Sequence, residues 1–157
     1  MNAQQKSFAL LLLVLAIFLY SCKSGADNPK EASEQLVQTT NWFIHEIWVN
    51  DVLTFSEGKM KPQFGGIDFD RYMENIRFEK DGAFTGYFKG DSKPIFLKWE
   101  ISGDNVIVRS LDSSPKGGEW TISPKDVFED SFTMKTQSSA YDFPRVTKIA
   151  LKFKTEN

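Results

Sequence analysis

Cysteine and histidine, the side chains that most often supply nucleophiles and metal ligands, each occur once in the 157-residue chain, as Cys22 and His45. One thiol allows neither an internal disulfide nor a multi-cysteine zinc site. His45 lies between Ile44 and Glu46 in an apolar run, a setting typical of a structural histidine. A Ser/His/Asp triad would have to use it, and no G-x-S-x-G elbow accompanies it. The sequence therefore predicts no catalytic residues and no metal.

Asp68, Asp70 and Glu74 are the acidic residues whose spacing could form a metal site. Spacings of two and four can gather oxygens around Ca²⁺, but a calcium loop needs more ligands and a glycine at a fixed position. We interpret the set as part of a solvated loop. A carboxylate pair for glycoside hydrolysis depends on a distance in space, which leaves that alternative open. No nucleotide-binding fingerprint accompanies the glycine pairs, so no cofactor is predicted.

The single cysteine closes a segment with the layout of an export signal. A polar start carries one positive charge, Lys6, and 13 apolar or aromatic residues follow from Phe8 to Tyr20. A spanning helix needs about 20 apolar residues, so this run is too short to cross a bilayer. Small Ser21 then precedes Cys22 at the expected cleavage point.

Leu19-Tyr20-Ser21-Cys22 resembles the lipobox of bacterial lipoproteins, in which an aliphatic, a tolerant and a small position precede the cysteine. The resemblance implies cleavage before Cys22, a diacylglycerol on its thiol and a fatty acyl chain such as palmitate on its amino group. Several chains anchor stably, because each buried methylene contributes about 0.8 kcal/mol. Lys23 replaces the aspartate that retains enteric lipoproteins at the inner membrane, which implies the outer membrane of the bacterial cell envelope. The alternative is an ordinary cleaved signal followed by a coincidental cysteine.

Three regions follow from this interpretation: a signal peptide (1–21), a polar tether (22–35) and one domain (36–157). Removal of the signal leaves 18 basic and 21 acidic side chains. With no block of lysine and arginine, this balance argues against nucleic acid as the partner. The predicted partner is instead the membrane, through the lipid anchor.

Local signals predict a short helical turn in the tether and a first strand after it. Asn28 suits an N-cap, Pro29 the first helical position, and Glu31 completes the capping pattern over one or two turns. Trp42 to Val49 is rich in β-branched and aromatic residues and ends at a turn signal. Simple alternation places Trp42, Ile44 and Trp48 on one face of this strand.

The segments 73–79 and 83–89 predict a hairpin, with either a two-residue or a three-residue turn. A three-residue turn with Gly82 left-handed pairs Phe78 with Phe84 and Ile76 with Gly86, which gathers the apolar side chains on one face. Burial favours this register. A second hairpin follows Ile95 to Ser102 and turns at Gly103-Asp104. This register pairs Ile101 with Val106 and Trp99 with Val108, which directs the apolar side chains of both strands to one side.

About eight strands at hairpin spacing, with few helix signals, indicate an all-β fold, an antiparallel barrel or a β-sandwich. A helical turn followed by the strand opening Thr40-Asn41-Trp42-Phe43 and repeated Asp-Gly hairpins resembles the lipocalin-like lipoproteins of Gram-negative bacteria. The resemblance implies a barrel of about eight strands over residues 36–155. It also makes Arg145 a candidate for the arginine that packs on the opening tryptophan.

Such a barrel is wide enough either to fill with side chains or to hold one small apolar or amphipathic ligand. The residues predicted to line a ligand pocket are Trp48, Tyr87, Trp99 and Trp120. The competing interpretation is a cavity-free module for envelope assembly that binds a glycan or a protein through its loops. Two segments, 56–72 and 137–144, carry the aromatic residues suited to that role, Phe64, Phe69, Tyr141 and Phe143.

Overall fold

The structure is a computed structural model that describes residues 24–61, 72–111, 118–142 and 144–156. These ranges contain helix α1 (Pro29–Gln38) and a 3-10 turn at Pro124–Asp126. The strands are β1 (Trp42–Val49), β2 (Val52–Ser56), β3 (Lys59–Met60), β4 (Met73–Phe78), β5 (Ala83–Phe88), β6 (Ile95–Ser102), β7 (Asn105–Ser110), β8 (Trp120–Ile122), β9 (Ser131–Asp142) and β10 (Arg145–Lys154). No helix within the described ranges is long and apolar enough to cross a membrane.

Eight of the strands close into an antiparallel barrel. They pair in the order β10-β9-β8-β7-β6-β5-β4-β1, and β1 pairs again with β10 to complete the ring. Strands β2 and β3 extend from the second half of β1, on the edge whose first half pairs with β4. The predicted all-β barrel is confirmed, because a continuous ring of pairings is a barrel rather than a sandwich.

The β4–β5 hairpin has the three-residue register that burial predicts. Phe78 pairs with Phe84 and Ile76 with Gly86. Gly82 has φ of 89°, the left-handed region that the turn requires and that glycine adopts without steric cost. The β6–β7 hairpin also has the predicted pairing. Both registers are local consequences of turn chemistry and of alternating apolar residues.

A β-bulge in β1 changes which side chains face the interior. Opposite β10, Ile44 pairs with Phe153 and Glu46 with Lys152, which leaves His45 as the extra residue. An extra residue shifts the in-out alternation by one position. The inward side chains are therefore Trp42, Ile44, Ile47 and Val49. The prediction that Trp48 shares a face with Trp42 is wrong, because simple alternation takes no account of the bulge.

Helix α1 covers the end of the barrel at which β1 begins, here called the helix end. Its N-cap is Asn28, whose Oδ1 accepts a 3.0 Å hydrogen bond from the Glu31 amide, as predicted. The helix has ten residues rather than one or two turns, because Ala32 and Leu36 are fully buried against the barrel. Much of the segment interpreted as a polar tether thus packs on the domain.

Five aromatic side chains fill the interior near the helix end. Phe132 lies among them, with ring centroids 5.0 Å from Trp42, 5.7 Å from Phe78 and 5.3 Å from Phe153. Phe84 packs edge-on against Phe78 at 5.1 Å. All five are at most 1% exposed. Side chains, rather than a ligand-sized space, therefore occupy this part of the barrel.

Arg145 does not pack on the opening tryptophan. It begins β10, whereas Trp42 lies beside the other end of that strand, where Phe43 pairs with Lys154. The ten residues of β10 span about 30 Å at roughly 3.3 Å per residue. The indole N–H of Trp42 instead donates a 3.0 Å hydrogen bond to the Leu36 carbonyl of α1.

The two loop surfaces of the sequence interpretation have different outcomes. Residues 137–142 belong to β9 and pair with β10, so that stretch is mostly strand rather than loop. In the other stretch, β3 lies at 59–60, and 62–71 fall outside the described residues. Of the residues predicted to contact a partner, Phe64, Phe69 and Phe143 lie outside the described residues, and Tyr141 belongs to β9 without a described side chain.

Candidate functional site

The four aromatic residues predicted to line a ligand pocket lie on both sides of the barrel wall. Trp99 and Trp120 pack against the core from within, and the Trp99 indole donates a 2.8 Å hydrogen bond to the Glu79 carbonyl. Trp48 and Tyr87 face outward, because the residues before and after each of them point to the interior. The structure therefore does not gather the four in one site, and their role in binding remains a prediction.

Trp48 forms one wall of a groove of about 390 Å³ on the outside of the barrel, here called the outer groove. A row of neighbouring residues crosses it on four strands: Trp48 pairs with Ala150, Ala150 with Lys135, and Lys135 with Thr121. The Ala150 side chain is a single methyl group, which leaves space between the indole and Lys135. The remaining lining residues are Asp51, Glu119, Thr136, Gln137, Lys148 and Ile149.

The orientation of Trp48 is set by a carboxylate on its own strand. The indole Nε1–H donates a 3.0 Å hydrogen bond to Oε2 of Glu46. The same carboxylate lies 3.6 Å from Nζ of Lys152 and 3.7 Å from Nε2 of His45, and the Glu46 side chain is only 19% exposed. An aromatic ring that is held before a ligand arrives loses little rotamer freedom on binding.

Burial alone would raise the pKa of Glu46, because a less polar environment disfavours the charged form. The hydrogen bond from Trp48 and the electrostatic effects of Lys152 and His45 outweigh burial. Together they hold the pKa of Glu46 below its ordinary value of 4.5. Glu46 is consequently ionised at neutral pH, in the form that accepts the hydrogen bond of the indole.

The positive and negative side chains that line the outer groove are equal in number. Lys135 and Lys148 oppose Asp51 and Glu119, and Nζ of Lys135 is already bound to Asp126 at 2.7 Å. Hydroxyl and amide groups add donors and acceptors beside the aromatic wall. A few polar groups around an apolar surface fix the orientation of a small ligand. The arrangement suits an amphipathic ligand without strong net charge.

A second groove, of about 340 Å³, lies at the helix end between α1 and the β4–β5 turn. Val37 and Trp99 supply its apolar surface, and Lys80 and Glu34 lie at its border with solvent. Its lining residues are Ser33, Glu34, Val37, Gln38, Lys80 and Trp99. The two grooves therefore lie in different parts of the surface, one on the wall and one at the helix end.

Of the other candidate catalytic or metal-binding residues, the structure describes Glu74 and His45. Glu74 is exposed on β4, while Asp68, Asp70 and Cys22 lie outside the described residues. Within residues 24–61, 72–111, 118–142 and 144–156, no three His, Cys, Asp or Glu side chains come together as a metal site. His45 contacts Glu46 at the bulge of β1, where it belongs to the charge cluster beside Trp48.

Sequence reasoning missed the residues that surround Trp48. Glu46 could have been found, since residues two apart on a strand point to the same side. Ala150 and Lys135 could not, because they reach Trp48 only through the β1–β10 pairing, which joins residues about 100 positions apart. No protein-family model matches the chain, and a search of curated protein sequences finds no significant match.

Proposed function

We propose that this protein is a bacterial envelope lipoprotein, anchored in the outer membrane through Cys22, whose barrel binds a small amphipathic ligand and catalyses no reaction. The lipobox-like Leu19-Tyr20-Ser21-Cys22 supports the anchor. The closed eight-stranded barrel is compatible with a lipocalin-like domain.

The observation that carries the binding proposal is the fixed indole of Trp48. Its N–H is held by Glu46 at 3.0 Å, and the ring forms a wall of a groove large enough for a small molecule. Aromatic side chains supply much of the energy of ligand contacts, and the charge-balanced polar residues beside the ring supply directional hydrogen bonds.

The filled interior determines where on the barrel the ligand is proposed to bind. The aromatic cluster around Phe132 occupies the barrel near the helix end, so an interior ligand there would have to displace fully buried rings. Removing such a ring from the core costs several kcal/mol. Binding in the outer groove displaces no buried ring, which favours the outer groove over an interior site.

The same filled interior favours a second candidate, a cavity-free module that captures a glycan of the envelope. A sugar ring has an apolar face and a polar hydroxyl edge. Stacking on Trp48 and hydrogen bonds to Thr121 or Gln137 match both features. In this candidate the outer groove serves a longer chain rather than a free small molecule.

The anchor is tested by Cys22→Ala, with Ser24→Ala as the matched control. Fractionation of cells should find the Cys22→Ala protein in the soluble fraction and the control in the membrane fraction. Unchanged membrane retention of Cys22→Ala would refute acylation at that residue.

The ligand is tested by native mass spectrometry of protein purified from its own host. We expect an additional small-molecule mass on the wild-type protein, lost in Trp48→Ala and kept in Tyr87→Ala, which removes another outward aromatic side chain. Repeated absence of any additional mass on the wild-type protein would count against binding of a small molecule.

A further inference from the structure

The folded domain begins within a few residues of Cys22. Ala26 is 3% exposed, and its amide donates a 2.9 Å hydrogen bond to the Val127 carbonyl. Gly25 packs just as closely, since a Cβ at that position would lie 2.3 Å from the carbonyl oxygen of Lys125. The backbone is therefore fixed to the barrel from Gly25 onward, although this segment reads as a tether by composition.

The covalent reach from the lipid to the barrel is correspondingly short. Cys22 precedes Ala26 by four positions, and an extended chain covers at most about 3.6 Å per residue, or roughly 14 Å in total. A strand of ten residues such as β10 spans about 30 Å. A lipid on Cys22 can consequently lie beside the part of the barrel that Ala26 contacts, and not beside its opposite end.

Ala26 contacts the helix end. Val127 follows the 3-10 turn that connects β8 to β9, and α1 packs over the same end. The β4–β5 and β6–β7 turns also lie there, because alternate connections of an antiparallel barrel meet at one end.

We propose that the helix end of the barrel lies against the phospholipid surface that holds the acyl chains of Cys22, with the outer groove directed away from it. This orientation rests on the proposed lipid anchor. Along β10, the groove residue Lys148 lies six positions before Lys154 at the helix end, or about 20 Å along the wall. A bound ligand would thus approach from the aqueous side.

The side chains at the helix end indicate that the lipid anchor, rather than electrostatic attraction, holds this surface against the membrane. Basic and acidic side chains are interspersed, as in Lys30 and Glu34, which face each other at 4.0 Å on α1. Such a surface has little electrostatic attraction for anionic lipids, so its contact with the membrane should not depend on salt. Trp99 and Val37 open into the groove at this end, and tryptophan is favoured at the level of lipid headgroups.

The orientation is tested with the full-length acylated protein in phosphatidylcholine vesicles that contain a headgroup-nitroxide lipid. A fluorophore is attached to Lys80→Cys, in the β4–β5 turn, or to Ser92→Cys, in the β5–β6 connection at the opposite end. Cys22 is the only native cysteine, so in the acylated protein the engineered thiol is the single site of labelling. We expect quenching several-fold stronger at position 80 than at position 92, and equally so at high salt.

A spacer variant supplies the control. A flexible insert of about 20 Gly and Ser residues after Ser24 has an r.m.s. end-to-end distance of roughly 25 Å, which should abolish the difference between the two labels. Equal quenching at both positions would overturn the orientation, and a difference that survives the insert would refute the short covalent reach as its cause. Protein that fails to float with the vesicles would refute the anchor itself, whereas protein that floats without a quenching difference refutes the orientation alone.

Discussion

Trp48 and Glu46 lie two residues apart on the outward face of β1, and the indole N–H of one donates a 3.0 Å hydrogen bond to the carboxylate of the other. The bulge at His45 produces this relationship, because it turns Trp48 away from the interior while Trp42 stays buried. A residue that would otherwise enlarge the core becomes the fixed wall of a surface groove.

Glu46 should make stability depend on pH in a defined direction. Its pKa in the folded protein lies below the ordinary value of 4.5, so the fold favours the ionised form. The resulting contribution is complete above the pKa of the unfolded chain and is lost as pH falls below 4.5 through the folded value. Glu46→Gln should therefore lower the free energy of unfolding at neutral pH, and the deficit should shrink in acid.

Urea unfolding of both proteins at neutral pH and at several values below 4.5 measures this difference. Glu74→Gln, which changes an exposed carboxylate on β4, is the matched control. A deficit for Glu46→Gln that stays constant across the pH series would contradict the assigned role of the carboxylate.

Phe132 should contribute strongly to stability, because its ring contacts three other buried aromatic side chains. Phe132→Ala should lower the free energy of unfolding by about 3 to 5 kcal/mol, the usual range for a large ring in a core. Phe96, which is 61% exposed, provides the control, and Phe96→Ala should change stability by about 0.5 kcal/mol or less. Denaturant unfolding of the two alanine variants measures this difference. Phe132→Leu provides a milder change at the same position. Equal losses for the two alanine variants would show that the cluster is not the core.

Position 25 should not accommodate a side chain without a loss of stability. A Cβ at Gly25 would lie 2.3 Å from the Lys125 carbonyl oxygen, whereas a Cβ at Gly118 would meet its nearest atom at 3.4 Å. Gly25→Ala should cost about 1 to 3 kcal/mol or detach the segment, and Gly118→Ala should cost much less. Amide hydrogen exchange at Ala26 reports detachment directly. Full protection of that amide in Gly25→Ala would contradict the close packing.

The hairpins were predictable because the residues that determine each of them are close together in the sequence. An Asp-Gly turn and alternating apolar residues determine the β4–β5 register, down to the Phe78–Phe84 pair. The strand count and the small number of helix signals predicted an antiparallel barrel or a β-sandwich, and the pairing of β1 with β10 shows that the fold is the barrel. The composition of residues 22–35 predicted a tether, because its buried residues Ala26 and Ala32 are small, and their burial depends on a barrel surface that is distant in sequence.

The outer groove was not predictable for two physical reasons. No motif marks the bulge at His45, and missing one extra residue moves Trp48 to the wrong face. The neighbours of Trp48 come from β10 and β9, which only the closing pairing brings alongside β1. Local patterns predict strands, whereas the groove is a property of four strands together.

The most direct test of ligand binding in the outer groove is an NMR titration of the unacylated chain from Lys23, which retains every described contact. Octyl glucoside below its micelle concentration serves as a neutral amphipathic probe. We predict shifts centred on the Trp48 indole and the amides of Thr121 and Ala150, with binding weakened roughly 30-fold in Trp48→Ala, equivalent to about 2 kcal/mol. Shifts centred instead on the inward residues Phe88 and Trp120, or unchanged by Trp48→Ala, would contradict the outer groove as the binding site.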